Sequence, residues 1–233
     1  NYSCIQPNSY IQLVGPGLTH DNVGEDSNTN YRFWGVDNGF GYGMRSVNTL
    51  YNSPSCVARS ATPVVLLPTI SVSDLNKGLT STAGFNVTVE CSNSVTTTAN
   101  SGQTAIGFQV SSGAFTAAKG LGLVNSSNGV SLLLSDNYQA TGIAKGVGIA
   151  ISYSSAPGTA LTLIGEQGMD ILNHSGNAAG WYPVLNNATP VGSSSSGYTN
   201  YSYNFTATLK KIDGQTVVAG KVKSTATVMV QVQ

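Results

Sequence analysis

The chain has 233 residues and a mass of 24.0 kDa, and 9% of its residues are charged, ten basic against ten acidic. Ser, Thr and Asn together number 73, with 27 Gly beside them, a composition that suits strands with hydroxyl-rich outer faces and disfavours helices. It excludes a coiled coil, a helical bundle and a charge-rich disordered chain, and the balanced charge leaves no field to attract nucleic acid or an anionic membrane.

The N-terminal part differs from the rest. All three Arg (Arg32, Arg45, Arg59) fall in the first 59 residues and all seven Lys come later, while eight of the nineteen aromatics lie in the first 51 residues. The densest group is Tyr31-Arg32-Phe33-Trp34, followed by Phe40 and Tyr42 in a Gly-rich stretch. Asn52-Ser53-Pro54-Ser55 reads as a turn or linker. A boundary is therefore expected near residue 53, with 1–53 and 54–233 belonging to different domains. Tyr31, Trp34, Asp37 and Asn38 are the candidate ligand contacts, since sugars are held by aromatic faces together with carboxylate and amide hydrogen bonds. Packing in a core is the simpler reading of such aromatics. Asp21, Glu25 and Asp26 lack the spacing of a calcium loop.

Beyond the boundary, strand signals become regular. Val64 to Leu67 is a buried-type run halted by Pro68, and Phe85 to Cys91 alternates with Phe85, Val87, Val89 and Cys91 on one face. Ile106 to Val110 alternates too, as does Val147 to Tyr153, and Leu161-Thr162-Leu163 is a shorter strand. Tyr201, Tyr203, Phe205, Ala207 and Leu209 line one face of a further strand, and Asp213-Gly214 marks a tight turn. The last strand places Val222, Ser224, Ala226, Val228, Val230 and Val232 inward and runs to Gln233. No segment reads as a helix. Short strands separated by turn signals predict an all-β sandwich.

A long regular edge such as 222–232 invites pairing with another chain, and Lys221 and Lys223 are its gatekeepers. An ordinary terminal strand in a closed sandwich is the alternative. Three cysteines, Cys4, Cys56 and Cys91, allow one disulfide with one left over and favour an oxidising compartment. No apolar run approaches the length of a membrane span and nothing reads as a signal peptide, which points to a mature soluble product or a fragment. An enzyme is not expected. The two His, His20 and His174, are far apart, and no nucleophile elbow, zinc-protease or phosphate-loop motif occurs. No metal and no cofactor are expected. Trp181-Tyr182 reads as the hydrophobic pin of a Gly/Ser/Asn-rich insertion at 165–197.

Three stretches taken together resemble the pilin fold of chaperone–usher fimbriae. Cys56-Val57-Ala58-Arg59, Val64 to Pro68 and Phe85 to Cys91 look like the family's first strand, its Leu-Pro bend and its disulfide-closing strand. Ala144 to Ile151 is similar to the mid-domain Gly-Val-Gly strand. Tyr201 to Leu209, Val218-Ala219-Gly220-Lys221-Val222 and the alternation to Gln233 resemble the closing hairpin. The likeness covers roughly residues 54–233 and is nearest to the pilin domain of two-domain tip adhesins of the type 1 fimbrial kind.

That resemblance implies an immunoglobulin-like sandwich lacking its last strand, closed by a Cys56–Cys91 disulfide. The strand would come first from a periplasmic chaperone and then from the next pilus subunit, with an outer-membrane usher directing assembly. Val222, Ser224, Ala226, Val228, Val230 and Val232 would wall the donor-strand groove, and the carboxylate of Gln233 would anchor the chaperone. The chain would reach the bacterial surface through the periplasm and sit in a fimbrium, at the tip, with a host glycan as candidate ligand. The tip is favoured because Met44 to Ser55 does not alternate like the donor segment of a stalk subunit. Residues 1–53 would then be the end of a receptor-binding region, truncated or short. The stretches 95–137 and 165–197 exceed a minimal pilin domain. Two alternatives remain open: a self-contained secreted carbohydrate-binding sandwich, and a minor pilin that fills its own groove with Ile5 to Gly15, using Ile11 and Leu13.

Overall fold

The structure, a computed structural model, describes residues 8–12, 16, 39–43, 55–95, 104–165, 176–193 and 195–231. The chain divides into two units, Asn1–Asn52 and Ser53–Gln233. In the first, strand β1 (Asn8–Gln12) pairs antiparallel with β2 (Gly39–Gly43), from Asn8 opposite Gly43 to Gln12 opposite Gly39. The middle of the segment weighed above as an internal donor thus pairs with the Gly-rich strand.

The second unit is built on period-2 patterns. Strand β3 (Cys56–Ala61) pairs with β4 (Ser81–Ser92), and β4 pairs with β11 (Tyr198–Lys211) over twelve residues, Tyr198 opposite Ser92 to Leu209 opposite Ser81. Fourteen residues make β11 long enough to serve two neighbours on its other edge. Its C-terminal half pairs with β7 (Val147–Tyr153) and its N-terminal half with β10 (Thr189–Gly192). Along β11, Tyr203, Phe205, Ala207 and Leu209 are buried, as the alternation predicts.

The second sheet centres on β5 (Ala105–Val110). It pairs with β12 (Ala226–Gln231) on one edge and with β8 (Leu163–Ile164) and β9 (Tyr182–Pro183) on the other; β6 (Gly129–Val130) follows β8. The sheets face each other across one core. Phe205 and Phe85 stack at 5.3 Å from the first sheet, and Phe108 of the second meets Phe205 edge-on at 4.9 Å. Tyr153 and Tyr203 extend the cluster from the Phe205 side, at 5.1 and 5.7 Å. This is the all-β, immunoglobulin-like sandwich expected.

Three details depart from the sequence reading. Among the described residues are two short α-helices, α1 (Val72–Asn76) and α2 (Ser112–Gly120). Ser71 and Ser111 cap them, each hydroxyl accepting the N–H three residues on, from Asp74 and Ala114. The pattern Ala114, Phe115, Ala117, Ala118 buries one helical face, and tertiary packing overrides a weak propensity. Val64 to Leu67 is not a buried strand: Val64 and Leu66 are 67% and 82% exposed. The expected strand at Leu161 begins only at Leu163, and the last strand, expected from Val222, begins only at Ala226.

The Gly-Val-Gly segment has a steric reason. Gly146 has φ +68°, and a Cβ there would collide with the backbone carbonyl of Thr216; its N–H donates to the buried Tyr138 Oη at 2.7 Å. The insertion also finds its place: Trp181 is buried with Ala105, Ile164 and Ala179 on the outer face of the second sheet, with Met229 packed against them. Gly180 lies so near Gly107 that no side chain fits between them. Trp181 is the pin.

Tyr203 Oη is buried and has no hydrogen-bond partner among the described residues. Burial first, then the nearby Tyr153 and Tyr201, push this phenol far above its ordinary value, so it stays neutral. Replacing it with Phe removes an unsatisfied polar atom. Tyr203→Phe is expected to stabilise the chain by about 1 kcal/mol, read from urea unfolding midpoints; a clear loss of stability would mean that the hydroxyl is bonded after all.

Candidate functional site

The end strands of the two sheets, β3 and β12, lie beside each other, with Cα atoms within 8 Å. β12 pairs with β5 from Ala226 opposite Val110 to Gln231 opposite Ala105, and among the described residues Ala226 to Val230 have no strand on the other edge. Val222, Ser224, Ala226, Val228 and Val230 are half-buried, while Lys223, Thr225 and Thr227 between them, and Lys221 before them, are exposed. The four apolar members of that row pack against the main core. An ordinary interior strand of such a sandwich would bury this face completely.

The opposite border is the continuation of β3. Its ladder ends where the Thr62 N–H donates to the Asn86 carbonyl at 2.9 Å. Pro63 has no N–H to continue it, and Pro68 ends the run. Between the prolines, Val64 to Leu67 make no backbone hydrogen bond to any described residue. Val65 and Leu67 touch the core and Val64 and Leu66 face solvent, so the segment has the alternation of a strand without a partner. The Pro68 carbonyl accepts the Ser81 hydroxyl at 2.6 Å and fixes the far end.

A rigid frame holds these borders. Cys56 and Cys91 stand directly opposite in the β3–β4 register and are joined by a disulfide, with Cα atoms 4.0 Å apart and both residues buried. Phe85, half-buried, packs edge-on to Phe108 at 5.8 Å. The chemistry on offer is that of an edge: unpaired N–H and C=O groups, with alternate apolar side chains toward a core. On β3, Arg59 pairs with Glu90 of β4 at 2.6 Å.

Val232, Gln233, Tyr31, Trp34, Asp37, Asn38 and Cys4 lie outside the described residues. Two contributors were not among the expected site residues. The hydrophobicity of Val64–Leu67 suggests a buried strand, although its two flanking prolines announce a segment outside the ladder. Asp136, which binds the segment leading into β12, carries no motif at all.

No curated protein sequence matches the chain. Among solved structures it is similar to the P pilus rod subunit PapA, at 15% identity over 82% of this chain and 100% of that one, with a TM-score of 0.39. It is also similar to a subunit from the structure of a chaperone–usher pilus, at 16% identity over 82% and 94%, with a TM-score of 0.41. The model of the family described as Fimbrial protein matches residues 46–233. That match spans the whole sandwich, from before its first strand through its last, and the chain belongs to the fimbrial protein family, whose members are structural subunits and not enzymes.

Proposed function

We propose that the chain is a pilus subunit of the chaperone–usher kind that is completed by an extended strand from another chain, seated between Val64–Leu67 and the face of Val222, Ser224, Ala226, Val228 and Val230. One observation carries this reading. Two neighbouring strand edges lack hydrogen-bond partners among the described residues, and both turn alternate apolar side chains toward the core. An inserted strand satisfies the backbone groups on either side and buries the apolar row, which is strand addition. A periplasmic chaperone supplies it first and the next subunit replaces it, under the usher. The finer part of the proposal puts the subunit at the fibre tip, because Met44 to Ser55 lacks the alternation needed to donate a strand onward. Residues 1–53 then belong to a receptor-binding region, with Tyr31, Trp34, Asp37 and Asn38 its contacts to a host glycan.

The test is titration of the full chain with a synthetic peptide of about a dozen alternating apolar residues, copied from the partner's N-terminal extension. One peptide should bind per chain, raise the melting midpoint and leave the chain monomeric. A midpoint unmoved by every such peptide sinks the acceptor reading. Self-assembly of the chain into rods sinks the tip position, and glycan binding that survives Trp34→Ala sinks the ligand assignment.

A further inference from the structure

The wall that leads into β12 is not itself in a sheet. Residues 222–225 form no ladder, yet they present Val222 and Ser224 in line with Ala226, Val228 and Val230. Something other than strand pairing must hold them. Upstream, the Lys221 carbonyl accepts the Ala144 N–H at 3.0 Å and the Lys221 N–H donates to Gly142 O at 2.9 Å. Along the rest, the partner is a short loop ending in Asp136.

Asp136 turns its N–H and both carboxylate oxygens to this wall. Its N–H donates to the Lys223 carbonyl at 3.0 Å. Its Oδ1 accepts the Thr225 N–H at 3.0 Å, and its Oδ2 accepts the Thr225 hydroxyl at 2.7 Å. The Ser135 hydroxyl beside it accepts the Lys223 N–H at 3.3 Å. Asp136 is anchored in turn, because the Ser111 hydroxyl that caps α2 also donates to Oδ1 at 2.6 Å. Ser111 directly follows β5, the strand that β12 pairs with. The first turn of α2 rests on the same residue: a Cβ at Gly113 would collide with the Asp136 carbonyl. A half-buried carboxylate thus ties the end of β5, the cap of α2 and the entry of β12 at one point, across sequence separations of 25 and 89 residues.

We infer that Asp136 is a positioning residue for strand acceptance: its carboxylate and N–H replace the missing ladder over Lys223 to Thr225 and hold the wall in its accepting shape before a partner arrives. The inference rests on the groove reading above and adds a residue that does not touch the incoming strand. Loss of the clamp lets the wall sample shapes that cannot accept a strand. A binder that needs the competent shape then sees its affinity reduced by the competent fraction. The loss falls on association, because the filled groove supplies the ladder itself and keeps the wall in place once the strand is seated.

The experiment compares the full chain with Asp136→Ala and Asp136→Asn, the second keeping one acceptor oxygen for Ser111 and the Thr225 N–H. Two quantities are read below the melting transition: binding kinetics of the partner-extension peptide and amide exchange across the chain. In Asp136→Ala the association rate should fall about tenfold with dissociation within about twofold, and amides 223–226 should exchange faster while the β4–β11 amides keep their protection. Asp136→Asn should recover most of both. Unchanged association and exchange, or protection lost evenly over the whole sandwich, overturns the inference. If Asp136→Ala fails to fold, Thr225→Val, which removes one donor, takes its place with the same criteria. If the unaltered chain binds no such peptide, the groove reading fails, and the exchange pattern alone decides whether Asp136 is a clamp.

Discussion

Val228→Asp is expected to reduce the amount of chain recovered with its periplasmic chaperone at least tenfold. Val228 is half-buried in the middle of the unpaired β12 edge, opposite Phe108, and packs against the core. A strand seated on that edge removes the remaining water from this face, and an unpaired carboxylate there costs several kcal/mol. Each 1.4 kcal/mol is about tenfold in affinity, so even a fraction of that penalty empties the complex. Thr227→Asp supplies the control: it carries the same charge one residue away, on the exposed face. It should leave recovery near that of the unaltered chain. Equal losses from the two variants would mean that charge alone matters, and a normal yield with Val228→Asp would remove β12 from the groove.

The second large effect concerns the disulfide. Cys56 and Cys91 close a loop with a sequence separation of 35 between two adjacent strands of the first sheet. By chain entropy, a crosslink over such a loop stabilises the fold by roughly 4 kcal/mol. A domain of this size has a total stability of only about 5–15 kcal/mol. Replacing both cysteines with Ser also puts two hydroxyls into buried sites. The double variant should lose most of its stability in urea and accumulate poorly in an oxidising compartment. A shift worth less than about 1 kcal/mol would mean that the crosslink is dispensable. The disulfide also fixes the β3–β4 register upstream of Pro63, so its loss should weaken strand acceptance as well as stability.

Where local pattern and tertiary environment agree, the sequence was a good guide. Val147 to Tyr153 is a strand over those residues, and the alternation of Phe85, Val87, Val89 and Cys91 sits within β4. The inward row from Ala226 to Val230 was legible because a pleated strand puts every second side chain on one face, whereas Val222 and Ser224 continue that row outside any ladder. The helix at Ser112–Gly120 was missed because Gly113 and Thr116 dilute its propensity, and only the Ser111 cap and paired Ala positions announce it. Val64 to Leu67 misled by hydrophobicity. Such a run reads as buried, yet Pro63 and Pro68 take it out of the ladder and leave half of it in water. The Asp136 clamp was beyond a linear reading, since its partners lie 25 and 89 residues away and one hydrogen-bonding carboxylate has no pattern. The fit of Gly180 against Gly107 is of the same kind.

On the proposed reading, an incoming strand completes the sandwich by pairing with both open edges. Amide hydrogen exchange, read residue by residue on the full chain with and without its bound partner strand, tests it most directly. Backbone amides of Val64 to Leu67 and of Ala226 to Val230 should gain protection together on binding, while the already paired amides of β4 and β11 should change little. Protection gained at a surface remote from both edges, with Val64 to Leu67 and Ala226 to Val230 exchanging as before, would contradict it.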